Sequence, residues 1–238
     1  DGNNSTQALT GVGFQPDATW IKARNNTDNH ALYDALRGAT ETLYPNTDGA
    51  EVTTANGLTA FDADGFTCGD ANIVNGGTGR IYASWNWKAN GSGSANTDGS
   101  INSTVSANTT AGFSIVQYQP DGTDPSTVGH GLGVTPTTVW IFPRSNGENH
   151  LASNWETGIS VYSEKWKLQD NDGAETSSGH VTGASSTTFT LGTDANVNGS
   201  SRTYAAYAFV EVVGFSNCSA NKSPCCFSNN DFSSRTRS

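Results

Sequence analysis

Two histidines stand at matching places in the chain and are the first residues to weigh for chemistry. His30 closes the stretch GVGFQPDATWIKARNNTDNH that begins at Gly11, and His150 closes GLGVTPTTVWIFPRSNGENH from Gly131. An imidazole can exchange a proton near neutral pH when a carboxylate orients it. Asp34 is a candidate partner for His30, but the matching position near His150 is Asn154. A shared acid–base role is therefore not written into both copies. His30 and His150 remain ligand-contact candidates, and packing beside a strand end is the stronger reading. His130 and His180 have no counterparts in the first stretch.

Other catalytic signatures are missing. There is no H-E-x-x-H, no G-x-S-x-G, no P-loop and no C-x-x-C pair, so no catalytic residue is assigned. The acidic residues sit in turns such as Asp62-Ala-Asp-Gly65 and Asp170-Asn-Asp-Gly173. These turns lack the spaced ligands and distal Glu of a calcium loop, and Asp-Gly is ordinary turn chemistry. No metal ligand and no cofactor is assigned, with calcium kept as a lesser alternative. Of the tryptophans, Trp20, Trp85 and Trp140 fall in repeated strands and read as core. Trp87, Trp155 and Trp166 are the better surface candidates, where an aromatic face could stack on a sugar.

Composition narrows the partners. The net charge is −10 and the pI about 4.6, which argues against a nucleic-acid partner, because phosphate binding needs a basic face. No apolar run is long enough to cross a membrane. Residues 217–238 carry a balance of +2, leaving −12 on the rest, so the end reads as a separate tail. Three of the four cysteines, Cys218, Cys225 and Cys226, lie in that tail, where a disulfide and free thiols stay equally open. With no methionine, even at residue 1, the sequence reads as a processed or partial product.

The elements that would position these residues follow from a repeat at a constant offset of 120. It aligns Gly11, Gly13, Pro16, Trp20, Ile21, Arg24 and His30 with Gly131, Gly133, Pro136, Trp140, Ile141, Arg144 and His150. Thr19–Lys22 and Thr138–Phe142, rich in Trp and β-branched residues after a proline, read as buried strands. Gly112–Tyr118 alternates as a further strand that the first unit lacks. Asn75-Gly76 and Asn198-Gly199 each read as a hairpin turn between strands. The expected fold is all-β: two tandem homologous antiparallel β-sandwich units of jelly-roll or lectin-like type. Unit one spans 1–89, a linker and hairpin 90–111, unit two 112–216, and a Cys-containing basic tail 217–238.

The ordered motifs G-x-G-F-x-P-D-x-x-W-I-K-x-R, Leu32-Tyr-Asp-x-x-Arg-Gly-Ala-Thr40, Phe61-Asp-x-Asp-Gly-Phe-Thr67 and Tyr82-Ala-Ser-Trp-Asn-Trp87 point further. With Val105–Phe113 and Val128-Gly-His-Gly-Leu-Gly133, they resemble a family of uncharacterised domains in virion proteins of tailed, especially marine, bacteriophages. The resemblance covers about residues 9–216, and the end after Ser216 departs from it. It implies a non-enzymatic structural, tail-fibre or host-attachment role, in a virion or extracellular setting. The implied partners are further copies of the chain, other virion proteins and host-surface glycans. A secreted, lectin-like carbohydrate-binding module is the alternative, and a β-sandwich glycosidase or lyase ranks below it.

The repeat also predicts an assembly device. Gly214-Phe215-Ser216 repeats the start of the strand at Gly112, as though another unit were beginning. An unpaired sheet edge in unit one is the expected acceptor for such a strand.

Overall fold

Short apolar runs set between Gly-, Pro- and Asn-rich turns favour strands over helices along the whole chain. The computed structural model describes residues 1–154, 164–169, 175–176 and 179–212, and they are nearly all antiparallel β, in sandwich-like layers. The first half contains β1 (Gln7–Thr10), β2 (Ala18–Ala23), β3 (Ala31–Asp34), β4 (Gly38–Leu43) and β5 (Val52–Thr53). It continues with β6 (Leu58–Asp62), β7 (Gly65–Cys68), α1 (Asn72–Asn75) and β8 (Tyr82–Trp87). Next come β9 (Ser94–Asn96), β10 (Ser103–Asn108) and β11 (Phe113–Tyr118). The second half runs β12 (Ser126–Gly129), β13 (Thr138–Pro143), β14 (Leu151–Asn154), β15 (Glu164–Lys167) and β16 (Glu175–Thr176). It ends with β17 (Val181–Ala184), β18 (Thr188–Leu191), α2 (Ala195–Asn198) and β19 (Tyr204–Phe209).

These strands form four sheets. The orders are β1-β7-β6 and β5-β4-β3-β2-β8 in the first half, then β12-β18-β17 and β16-β15-β14-β13-β19-β11-β10-β9. The eight-stranded sheet thus repeats the order of the five-stranded one and extends it past β19. Register matches as well. Ala18 faces Asp34 and Ile21 faces Ala31, just as Thr138 faces Asn154 and Ile141 faces Leu151.

Side-chain alternation stacks the sheets in a fixed sequence. Ile21 and Tyr33 point to one face of the five-stranded sheet and meet Leu58, Phe66 and Cys68 of the first three-stranded sheet. Trp20 and Leu32 point to the other face and meet Trp140, Phe142 and Tyr207 of the eight-stranded sheet. On the far side of that sheet, Val139, Ile141 and Ala206 pack on Val128, Phe189 and Leu191. The order of layers is three, five, eight and three strands. Buried on both faces, β13 and β19 are enclosed at every residue, while β8 at an edge is not. The sheet-to-sheet contact between halves is therefore a core in its own right.

One local expectation is corrected. Neither Asn-Gly pair makes a hairpin turn. A two-residue hairpin of that type needs positive φ at its glycine, yet Gly76 has φ −63° and Gly199 φ −71°. Asn75 and Asn198 instead close the short helices α1 and α2, which carry the chain from one sheet to the other. The Asn75 amide donates to the carbonyls of Gly69 (3.0 Å) and Ser5 (2.5 Å). Asn198 donates likewise to Gly192 (2.9 Å) and Thr123 (2.8 Å). These long-range bonds decide the conformation over local turn preference.

The stretch 90–111, expected as linker and hairpin, enters β9, which pairs with β10 inside the eight-stranded sheet. The buried carboxylate of Asp17 holds its approach, accepting from the amides of Ala89 (2.7 Å) and Gly91 (3.2 Å). Burial raises the Asp17 pKa, against the pull of those amides and of Lys88. The acidic turn at Asp62–Gly65, read as ordinary turn chemistry, is a turn and also has a structural partner. Asp64 accepts from the amides of Gly11 (3.0 Å) and Gly13 (2.6 Å). Both glycines have φ near +90°, which only glycine adopts at no steric cost, so their spacing serves this clasp.

Candidate functional site

Groups capable of chemistry gather where the five- and eight-stranded sheets face each other. The centre is the tight turn from β3 to β4. Asp34 Oδ1 accepts from the amides of Leu36 (3.0 Å) and Arg37 (2.9 Å), and Gly38 leaves the turn at φ +110°. That fold returns the Arg37 guanidinium onto its own turn. Its Nε donates to Asp34 Oδ2 at 2.5 Å, its Nη2 to the Leu32 carbonyl at 2.9 Å, and its Nη1 to Glu51 Oε2 at 2.9 Å. The side chains of Asp34 and Arg37 are both wholly buried.

The second half completes the network. Tyr207 donates its hydroxyl to Asp34 Oδ2 at 2.5 Å. Arg144 reaches Glu51 through Nη2 (2.8 Å) and Nε (3.0 Å), and Gln117 through Nη1 (3.2 Å). Two carboxylates and two guanidinium groups thus meet between the sheets, which balances their charge where water is scarce. Burial works to raise the Glu51 pKa, but the hydrogen bonds and charges of Arg144 and Arg37 outweigh it and hold the carboxyl below its ordinary range. Burial, aided by the Asp34 charge, pushes the Tyr207 phenol well up. Both Asp34 oxygens are already engaged by two donors each. The arrangement joins surfaces; it leaves no free carboxylate oxygen on Asp34 to take a proton from a substrate.

An aromatic seam runs beside this network. Trp20 and Trp140 meet edge to face with centroids 5.8 Å apart. Trp140 contacts Trp87 (6.4 Å) and Phe209 (4.6 Å), and Trp87 stacks on Phe113 at 6.0 Å. Phe113 stacks on Tyr207, which meets Phe142 edge-on. Edge-to-face and offset pairs of this kind contribute about 0.5–1.5 kcal/mol each beyond their burial. Of the tryptophans read as core, Trp140 is buried and Trp20 packs against it between the halves, while Trp85 is half-buried in β8 opposite Trp20.

The two matched histidines sit at the ends of this chain of rings. His30 accepts a hydrogen bond from Trp20 Nε1 at 3.0 Å, and its amide donates to Asn46. His150 lies 4.8 Å from the Phe142 ring and is wholly enclosed. Burial lowers its pKa to about 4, although the Gly49 and Tyr44 carbonyls and the Asp48 charge pull the other way. Burial, and then the Lys22 charge, lower His30 as well. These are the surroundings of neutral packing histidines. His150 has no exposed ring face, while His30 is half-buried with Nδ1 taken by Trp20.

Trp87 likewise is a half-buried member of the seam and not a free surface shelf. Trp155 lies outside the described residues, as do Gly214, Phe215, Ser216 and the cysteines of the tail. For Trp166 the backbone alone is placed, in β15 opposite Ala152. Cys68 is a buried free thiol whose pKa burial raises to about 12. Among the described residues, no three or more His, Cys, Asp or Glu side chains gather as a cation site.

Sequence reasoning passed over Asp34 with Arg37, Glu51, Arg144 and Tyr207 as one group. A signal was present: an Asp and an Arg three residues apart, followed by Gly, fit a single turn. Nothing local pointed to Glu51 or Tyr207 as their partners.

The fold and this junction define a layered antiparallel β-sandwich protein whose buried polar groups tie one half to the other. The chain belongs to a family described as Domain of unknown function (DUF7483), whose model matches residues 1–230. No curated protein matches the chain, and no solved structure does.

Proposed function

We propose that the protein is a non-enzymatic structural component of a tailed-bacteriophage virion, serving as a fibre, decoration or host-attachment element. The reading treats the two halves as copies of one unit. The observation that carries it is the junction itself. Titratable groups that could have formed an active site are used to bind sheet to sheet, through the Asp34–Arg37–Glu51–Arg144 network and the Trp20–Trp140 seam. A stack of four sheets with charged and aromatic groups locked between them suits a part that must keep its shape under load. The resemblance of its ordered motifs to virion proteins supplies the setting. The test is quantitative mass spectrometry of purified virions beside the soluble lysate of the same infected culture. The protein should appear in virions at a fixed copy number, and its confinement to the soluble fraction would overturn the proposal.

A further inference from the structure

Among the described residues β8 is the edge of its sheet, while its counterpart β19 is covered by β11. The carbonyls of Ile81 and Trp87 accept from Arg24 and Asp17 on the β2 side. Alternation therefore turns the N–H and C=O groups of Tyr82, Ser84 and Asn86 to the open edge. Beside that edge lies a cleft of about 240 Å³ between β8 and β1, walled by Leu9, Val12, Ile21, Phe66, Val74 and Tyr82. An unpaired edge next to an apolar cleft is the arrangement that strand addition exploits.

The second half shows what fills the matching place. There β11 pairs along the whole of β19, Phe113 to Phe209 through Tyr118 to Tyr204. The Tyr118 ring stacks on Tyr204 at 5.1 Å and meets Phe189 edge-on at 6.0 Å. Its hydroxyl donates to the Val197 carbonyl at 2.9 Å. Tyr204, Phe189 and Val197 hold the positions in β19, β18 and α2 that Tyr82, Phe66 and Val74 hold in β8, β7 and α1. The supporting bonds agree too. The Tyr82 hydroxyl donates to the Asn72 carbonyl and accepts from the Gly76 amide, as Tyr204 does with Ala195 and Gly199. The residues that hold Tyr118 in one half line an open cleft in the other.

We propose that the β8 edge and this cleft accept an extended strand from a second polypeptide, in the register of β11 on β19, with an aromatic side chain in the cleft. The chain's own segment beginning at Gly214-Phe215-Ser216 is the weaker occupant. Counted from that start, Cys218 and Ala220 fall where β11 has Val116 and Tyr118, too small to fill the space. The acceptor belongs to the fold and stands apart from any role in a virion.

The probe is the synthetic peptide of residues 112–118 (GFSIVQY), titrated into the full chain by calorimetry, with backbone NMR following the β8 amides. Saturable one-to-one binding is expected, with new protection at Ser84. Replacing the peptide's tyrosine by alanine should weaken binding by at least about tenfold, as for a buried aromatic anchor. Ser84→Pro removes an outward N–H while sparing the β2 pairing, so it should abolish binding and keep the thermal midpoint. If Ser84→Pro unfolds the chain, the peptide arms decide alone. Absence of saturable binding at millimolar peptide, indifference to the tyrosine, or equal binding of residues 214–220 (GFSNCSA) would each overturn the proposal.

Discussion

Replacing Asp34 by Asn tests whether the junction is held by its charge network. The change keeps the shape of the side chain and removes one negative charge, which leaves the wholly buried Arg37 guanidinium with Glu51 as its remaining carboxylate. Removing one partner of a buried pair typically costs about 3–5 kcal/mol. Because Glu51 Oε2 still lies 2.9 Å from Arg37 Nη1, the lower end, about 3 kcal/mol, is expected. In a chain of this size each kcal/mol moves the thermal midpoint by about 2–4 °C, so the midpoint should fall by about 6–12 °C. The assay is thermal and equilibrium urea unfolding followed by tryptophan fluorescence, since Trp20, Trp87 and Trp140 all report from the seam. Tyr207→Phe, which only deprives Asp34 of one donor, should cost about 1 kcal/mol. The two changes share an atom and should be non-additive in the double variant. A loss below about 1 kcal/mol for Asp34→Asn, or full additivity, would refute the view that these groups act as one buried unit.

Two more outcomes follow from the same geometry. His150 has a folded pKa of about 4 against an ordinary 6.5, so the unfolded chain binds the extra proton between those values. Its contribution is full above about pH 6.5 and is lost as pH falls towards 4, on the order of 3 kcal/mol in all; Glu51, also depressed, adds loss of the same sign at lower pH. Urea midpoints measured from pH 7 to 4 should fall steadily, and His150→Phe should flatten that slope; an unchanged slope would count against the assignment. Asn75→Ala and Asn198→Ala each strip the bonds that join α1 or α2 to distant carbonyls. Each should cost about 1–3 kcal/mol, and an exposed Asn such as Asn146 provides the neutral control in the same unfolding assay.

Much of the local structure was legible before any coordinates. The runs around Trp20 and Trp140 are the strands β2 and β13, and the alternation of Phe113–Tyr118 is β11. β-branched and aromatic residues after a proline leave few other conformations, so these segments announce themselves. The offset between Gly11–His30 and Gly131–His150 likewise gave strands of equal register. Neighbours in sequence were enough for that much.

What the sequence determined alone was the alternation of side chains along each strand and the turn chemistry at sites such as Asp62–Gly65. Which surface the second face of a sheet would meet was decided only in three dimensions. Trp20 had to be apolar-facing, but that its partner is Trp140 depends on the five-stranded sheet lying on the eight-stranded one. Asn75-Gly76 is a hairpin signal to its neighbours and a helix end once Ser5 and Gly69 offer their carbonyls. Asp34 and Tyr207 are 173 positions apart and share one hydrogen bond. Local preference acts over a few residues, whereas burial rewards whichever distant surface completes a face, and here that surface is the other half of the same chain.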